Sequence, residues 1–324
     1  MDLHMTAGSW KNRPNLLLGG PAIALLLSLS IWLIGLREAA ALDAKYGINA
    51  GYRTDSLNWN IASDLSGTVT PNIQSELTWS AIHIAQLSGG FQLTATDGLQ
   101  IRGMADYGWI QSGQNQDSDY SGNNRTLEYS RSNNDTTGDN VQDLSVALGY
   151  QFHFSEDGNA AYLTPLVGLS RSEQNLRISN GFQTIPATGP IQGLNSTYQA
   201  RWTGPWVGIE FLTDTKSDFN GYLRLEHHWA NYSAEANWNL RADLQHPVSF
   251  EQYSNGTGNI LSLGVLMVPK SSKWSFHVGL DFQRWNTDPG TNQEFFSNGT
   301  TSITRLNNVE WKSWALSLGL RRSL

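Results

Sequence analysis

Beyond residue 41 the chain runs in segments that alternate apolar with polar side chains, and nothing else in the sequence limits its fold as much. Trp274, Phe276, Val278, Leu280 and Phe282 interleave with Ser275, His277, Gly279, Asp281 and Gln283. Trp314, Leu316, Leu318 and Leu320 alternate with Ala315, Ser317, Gly319 and Arg321, and Leu144, Val146, Leu148 and Tyr150 with Ser145, Ala147 and Gly149. Side chains two apart share one face of a strand, so each segment has an apolar wall and a wall of small or polar residues. Ten such segments can be drawn, at 45–63, 74–95, 99–112, 141–155, 160–174, 199–212, 219–232, 259–269, 273–286 and 309–323. Most are long enough to cross a bilayer at a tilt.

The connections alternate as well. Thr96 to Gly98, Glu156 to Asn159, Thr213 to Asp218 and Lys270 to Ser272 are short. Gly113 to Asn140, Asn175 to Tyr198, Ser233 to Gly258 and Thr287 to Asn308 are long and rich in Asn, Ser, Thr, Gly and Asp. An even strand count with short turns at one end and long loops at the other predicts an all-β fold, a ten-stranded antiparallel transmembrane β-barrel with short periplasmic turns and long extracellular loops. A soluble sandwich also alternates. The membrane reading is favoured because charges fall on the small-residue wall and Trp and Tyr lie near strand ends, as in an interfacial girdle.

Residues 1–41 read as a removed leader. Lys11 and Arg13 precede an uncharged stretch, Leu16 to Leu36, whose continuous apolar part is Ala22 to Leu36, and Ala39-Ala40-Ala41 supplies a small-residue cleavage site. Cleavage is expected after Ala41, with Ala44 as the alternative; the competing reading is a retained anchor over Leu16–Leu36. Loss of Lys11, Arg13 and Arg37 together with Asp2 and Glu38 shifts the net charge from −7 to −8, which argues against a nucleic-acid partner. With no Cys, disulfides, thiolate metal sites and cysteine nucleophiles are excluded. His227 and His228 point to opposite faces of one strand and cannot share a metal ion, so no metal or cofactor is expected.

If the apolar wall meets lipid, the opposite wall lines a lumen. The expected lining is Arg102, Asp106, Glu210, Arg224, Glu226, His228, Asp281 and Lys312, and its simplest role is a hydrogen-bonded filling of a narrow barrel.

Several stretches are more specific than alternation. Arg102-Gly103-Met104-Ala105-Asp106-Tyr107-Gly108-Trp109, Leu163-Thr164-Pro165-Leu166-Val167-Gly168 and Asn180-Gly181-Phe182-Gln183-Thr184-Ile185 are three of them, and Tyr198 through Gly208 and His228-Trp229-Ala230 are two more. Together they resemble the Protochlamydia outer membrane protein family, which is related to the omptin-type ten-stranded barrels. The resemblance implies an outer-membrane barrel with a pore-type or structural role: passage of small solutes, or a surface coat. Omptin relatives are proteases that use an Asp-x-Asp pair and an Asp-x-His pair to activate water. Here Asp106 is followed two residues later by Gly108, and no Asp-x-His follows Trp229. A rearranged protease site would draw on Asp106, Asp243 and His246, with Asp117 and Asp119 replacing the missing pair. An adhesin is the third reading. The expected location is the outer membrane of a Gram-negative bacterium. Its expected partners are outer-membrane lipid, including lipopolysaccharide, and the barrel-assembly machinery during insertion. The oligomeric state is open.

Overall fold

The computed structural model describes residues 42–215, 217–269 and 272–324; the expected leader lies outside these. The described residues form fourteen strands: β1 (Asp43–Ile61), β2 (Ser75–Thr94), β3 (Leu99–Tyr120), β4 (Glu128–Asp135), β5 (Asn140–Tyr150), β6 (Phe152–Glu156), β7 (Asn159–Ile185), β8 (Gly189–Pro190), β9 (Asn195–Asp214), β10 (Phe219–Asn237), β11 (Phe250–Met267), β12 (Trp274–Thr287), β13 (Gly290–Phe295) and β14 (Thr301–Ser323). All pair antiparallel in one sheet, and β1 pairs with β14 from Lys45↔Ser323 to Ile61↔Leu306, which closes it into a ring. β4, β5 and β6 occupy one ring position along β7, and β12 and β13 share another between β11 and β14. The ring therefore has ten positions, a closed barrel with no free edge.

The long connections are largely strand. The expected loop 113–140 holds the end of β3 and all of β4, and 175–198 holds the end of β7, β8 and the start of β9. Likewise 233–258 contains the end of β10 and the start of β11, and 287–308 contains β13 and the start of β14. β7 has 27 residues and β14 has 23, against about 9–11 needed to cross a bilayer. About half of the barrel thus stands beyond the lipid.

The outer face shows where the lipid lies. Ile48, Leu87, Leu148, Val167, Leu225 and Leu318 are all exposed and point outward. Exposed Tyr46, Tyr150, Phe219 and Trp274 border this band below, and Tyr52, Trp109, Trp229 and Trp314 border it above, as two aromatic girdles. Above the upper girdle the outward residues turn polar. In β1 the series continues Thr54, Ser56, Asn58, Asn60, while the inward series runs Arg53, Asp55 and then Leu57, Trp59, Ile61, all buried.

Two irregularities adjust the faces. In β2 the register shifts between Ser80 and His83, and Ala81 has φ of 47°; in β3 it shifts opposite, around Ser112. Each extra residue resets the alternation. Trp79 and Ile82 are consequently both buried on the inner side, as are Ile110 and Asn115.

Candidate functional site

The barrel interior has three storeys, each built from the inward positions of successive strands. The lowest, at the level of the lipid band, is a charge network. Arg53 donates to both carboxylate oxygens of Asp55 at 2.7 Å and to Asp143 at 2.6 Å. Arg102 on β3 forms a two-pronged pair with Glu210 on β9, at 2.6 and 2.7 Å. Arg224 pairs with Glu226 at 2.8 Å, and Glu226 meets His228 Nε2 at 2.9 Å. His228 Nδ1 contacts Ser170 Oγ at 3.0 Å while its ring stacks on Trp206, centroids 5.5 Å apart. Asp106 lies in register with Ser88 and Asp143, and Asp281 with Ser262. The space bounded by Arg102, Met104, Ser145, Trp206, Arg224 and Glu226 is about 20 Å³, room for about one water molecule.

Of the expected lining residues, Arg102, Asp106, Glu210, Arg224, Glu226, His228 and Asp281 occupy inward positions of the strands. Lys312 does not. It alternates with the inward Trp311 and Ser313, is half exposed on the outer face, and pairs with Glu310 at 2.8 Å. The expectation broke the period of two, since Arg321 and Lys312 sit at positions of opposite parity. Arg53, Asp55 and Asp143 were missed; Asp143, two residues before the inward Ser145, carried a readable signal.

The middle storey is apolar. Trp59, Trp79, Tyr198, Trp202, Tyr232, Phe250, Trp285 and Trp311 are buried in one cluster with Leu57, Leu77, Ile82, Ile84, Ile110 and others. Rings from opposite sides of the barrel touch: Trp59 on β1 stacks on Tyr198 on β9 at 5.9 Å, and Trp79 on β2 stacks on the same tyrosine at 5.1 Å. Trp202 on β9 packs against Trp285 on β12 at 5.6 Å, and Trp285 stacks on Trp311 at 5.5 Å. Since β1 and β9 stand five ring positions apart, direct contact between their side chains spans the barrel's width. Sequence alternation places these tryptophans near strand ends, but it does not distinguish a girdle residue from an inward one; Trp59, Trp79, Trp202, Trp285 and Trp311 are inward.

The upper storey is the extracellular mouth. Asp117 pairs in register with the inward Leu77, so the bulge in β3 turns Asp117 and Asp119 to the inside. Burial, and then the adjacent Asp119, pushes the Asp117 carboxyl up to about 8 although Arg241 acts against it. Burial also raises Asp119, partly offset by hydrogen bonds from Ser75 and Ser130 and by Arg241. Arg241 donates to Asp243 at 2.7 and 2.8 Å, which holds that carboxyl at about 2. His246 Nδ1 is engaged by Asn237 at 2.7 Å.

The three residues of the rearranged protease site are thus not brought together. Asp106 lies in the charge network, below Ile110 and the aromatic storey; Asp243 and His246 follow β10 at the mouth. Facing Asp117 and Asp119 is a guanidinium, which takes no proton from water. Burial and the neighbouring Asp119 also disfavour the ionised form of Asp117 that a general base needs.

A sequence model described as Protochlamydia outer membrane protein matches residues 47–324. No curated protein matches the chain. Among solved structures, the outer membrane protease OmpT from Escherichia coli is similar with a TM-score of 0.68 at 12% identity, covering 89% of this chain and 99% of that one. The translocator domain of the autotransporter NalP from Neisseria meningitidis aligns at a TM-score of 0.36 and 12% identity, over 93% and 95% of the two chains. At 12% identity the likeness to the protease shows the fold alone.

Proposed function

The chain belongs to the Protochlamydia outer membrane protein family, and on that basis we propose that it is a closed, structural outer-membrane barrel that covers the cell surface with its rigid outer half. The observation that carries this reading is the stacking of Trp59 and Trp79 from one side of the ring on Tyr198 from the other. A solute-conducting barrel needs a continuous wet path, and an apolar layer whose side chains are almost wholly buried against one another leaves none. The charge network below it supports the same reading, because paired and hydrogen-bonded charges fill a narrow lumen rather than line a channel.

Purified, heat-modifiable protein in a planar bilayer is expected to give no discrete conductance steps. Steps are expected only when Trp79→Ala, Trp202→Ala and Trp285→Ala are combined with Arg102→Ala and Glu210→Ala, because the charge network closes the lumen below the aromatic layer. Stable single-channel openings of the unaltered protein would refute the closed barrel and restore small-solute passage.

Removal of the leader after Ala41 accompanies this proposal. Cleavage after Ala44 would delete the pairs Asp43↔Thr94 and Ala44↔Leu93 that join the start of β1 to the end of β2, and with them the ion pair of Asp43 to Lys45 at 2.8 Å. Insertion by the barrel-assembly machinery and contact with outer-membrane lipid, lipopolysaccharide included, belong to the same proposal.

A further inference from the structure

The lipid-facing wall is not uniformly convex. A groove of about 630 Å³ runs over β9, β10, β11 and β12 on the outer face, and cross-strand register divides its lining into two rows. Ile209, Leu225, Leu261 and Phe282 lie side by side in the lower row, all apolar and inside the lipid band. Directly above them Val207, His227, Asn259 and Arg284 form the upper row, one step below Trp229 in the upper girdle. Register carries the upper row on to Lys312, which faces Arg284 across β12 and β14.

Charge along that edge is unbalanced. Arg284 and Lys312 share one carboxylate, Glu310, each at 2.8 Å, and their side chains remain 64% and 52% exposed. His227 Nδ1 is held by Asn259 Oδ1 at 2.9 Å, and its ring lies edge-on to Trp229 at 4.7 Å. An apolar trough at acyl-chain depth, with a net cationic rim at headgroup depth, complements an amphiphile that bears a phosphate: the chains bury apolar area, and the phosphate completes charge-assisted hydrogen bonds left open by a single carboxylate. A second copy of the barrel fits less well, because the same rim on the partner would bring the two guanidinium–ammonium pairs together with one carboxylate on each side.

We infer that the β9–β12 groove is a specific binding site for a membrane lipid with a phosphate-bearing headgroup, its chains on Ile209, Leu225, Leu261 and Phe282 and its phosphate at Arg284 and Lys312. The inference does not depend on whether the barrel axis is closed.

Native mass spectrometry of the full barrel released from detergent, with dioleoyl phosphatidic acid or dioleoyl phosphatidylcholine added, tests the site. Phosphatidic acid should be retained about tenfold better than phosphatidylcholine, and the Arg284→Gln/Lys312→Gln variant should lose that preference. Glu310→Gln, which frees both cations, should instead strengthen retention about threefold. Both variants must run as folded, heat-modifiable bands; Glu310→Gln is a gain and cannot be mimicked by misfolding. Equal retention of the two lipids, an unchanged preference in the double variant, or displacement of phosphatidic acid by equimolar glycerol 3-phosphate would overturn the inference, the last by reducing the site to one for a free phosphate ester. Dimers in place of lipid adducts would also overturn it.

Discussion

Arg53 is 1% exposed, makes three hydrogen bonds to two carboxylates, and lies 5.4 Å from the centre of the Trp311 ring. Replacing it by methionine would leave Asp55 and Asp143 buried without their cation, which is expected to cost about 3–5 kcal/mol. Urea unfolding of the lipid-inserted barrel measures this, and adding Asp55→Asn and Asp143→Asn should recover most of it. At the mouth, Asp117 gives a pH dependence whose sign follows from its raised carboxyl. Because the folded state holds that proton up to about pH 8, whereas an unfolded aspartate releases it near 3.8, its contribution to stability is complete below about pH 4 and disappears as pH rises through about 8. The midpoint of unfolding of the extracellular half should therefore fall over that range, and Asp117→Asn should flatten the decline. A midpoint that rises with pH in the unaltered protein would contradict the assignment.

The long strands β1, β9, β10 and β14 invert their two faces part of the way up. Outside the bulges of β2 and β3 period two persists, yet in these four strands the apolar side chains are outward in the lower half and inward in the upper half, as Ile48 and Tyr52 against Leu57, Trp59 and Ile61 in β1 show. The cause is a change of solvent: lipid surrounds the lower half, and water surrounds the upper half, which must bury its own apolar residues inside. Leu318 and Asn58 both point outward, on opposite sides of this boundary. Leu318→Arg is expected to destabilise the inserted barrel by about 2–4 kcal/mol, while Asn58→Arg should change it by less than about 0.5 kcal/mol. Similar costs at the two positions would mean the lipid boundary is misplaced.

The described residues form a closed antiparallel ring whose lower half is filled by ion pairs and whose upper half has the core of a soluble protein. Its tryptophans fall into two populations that a lipid-soluble quencher separates. Acyl-brominated lipid should quench Trp109, Trp229, Trp274 and Trp314, which are exposed on the outer face, and leave Trp59, Trp79, Trp202, Trp285 and Trp311 bright. Phe at the four outer positions should abolish most of the quenching. Strong quenching that persists in this variant would place lipid against the inner set and would be incompatible with the aromatic storey.

Strand number, direction and the lipid-facing wall were legible in the sequence because each depends on local rules: a period of two, turn composition, and the alternation of short with long connections. The same rules identified the inward charges at Arg102, Asp106, Glu210, Arg224, Glu226 and Asp281. They failed at Lys312, whose expected place on the inner wall departs from the strand's own alternation, and at Asp117, where a bulge inserts a residue and turns the carboxylate inward. Only the closed ring decided which charges meet: Arg53 and Asp143 are 90 residues apart, and Arg102 and Glu210 are 108 apart. It also decided that the long polar-looking connections continue as paired strands and that the tryptophans at their bases meet on the axis. Such contacts depend on register summed around ten strands, a quantity that no single segment contains.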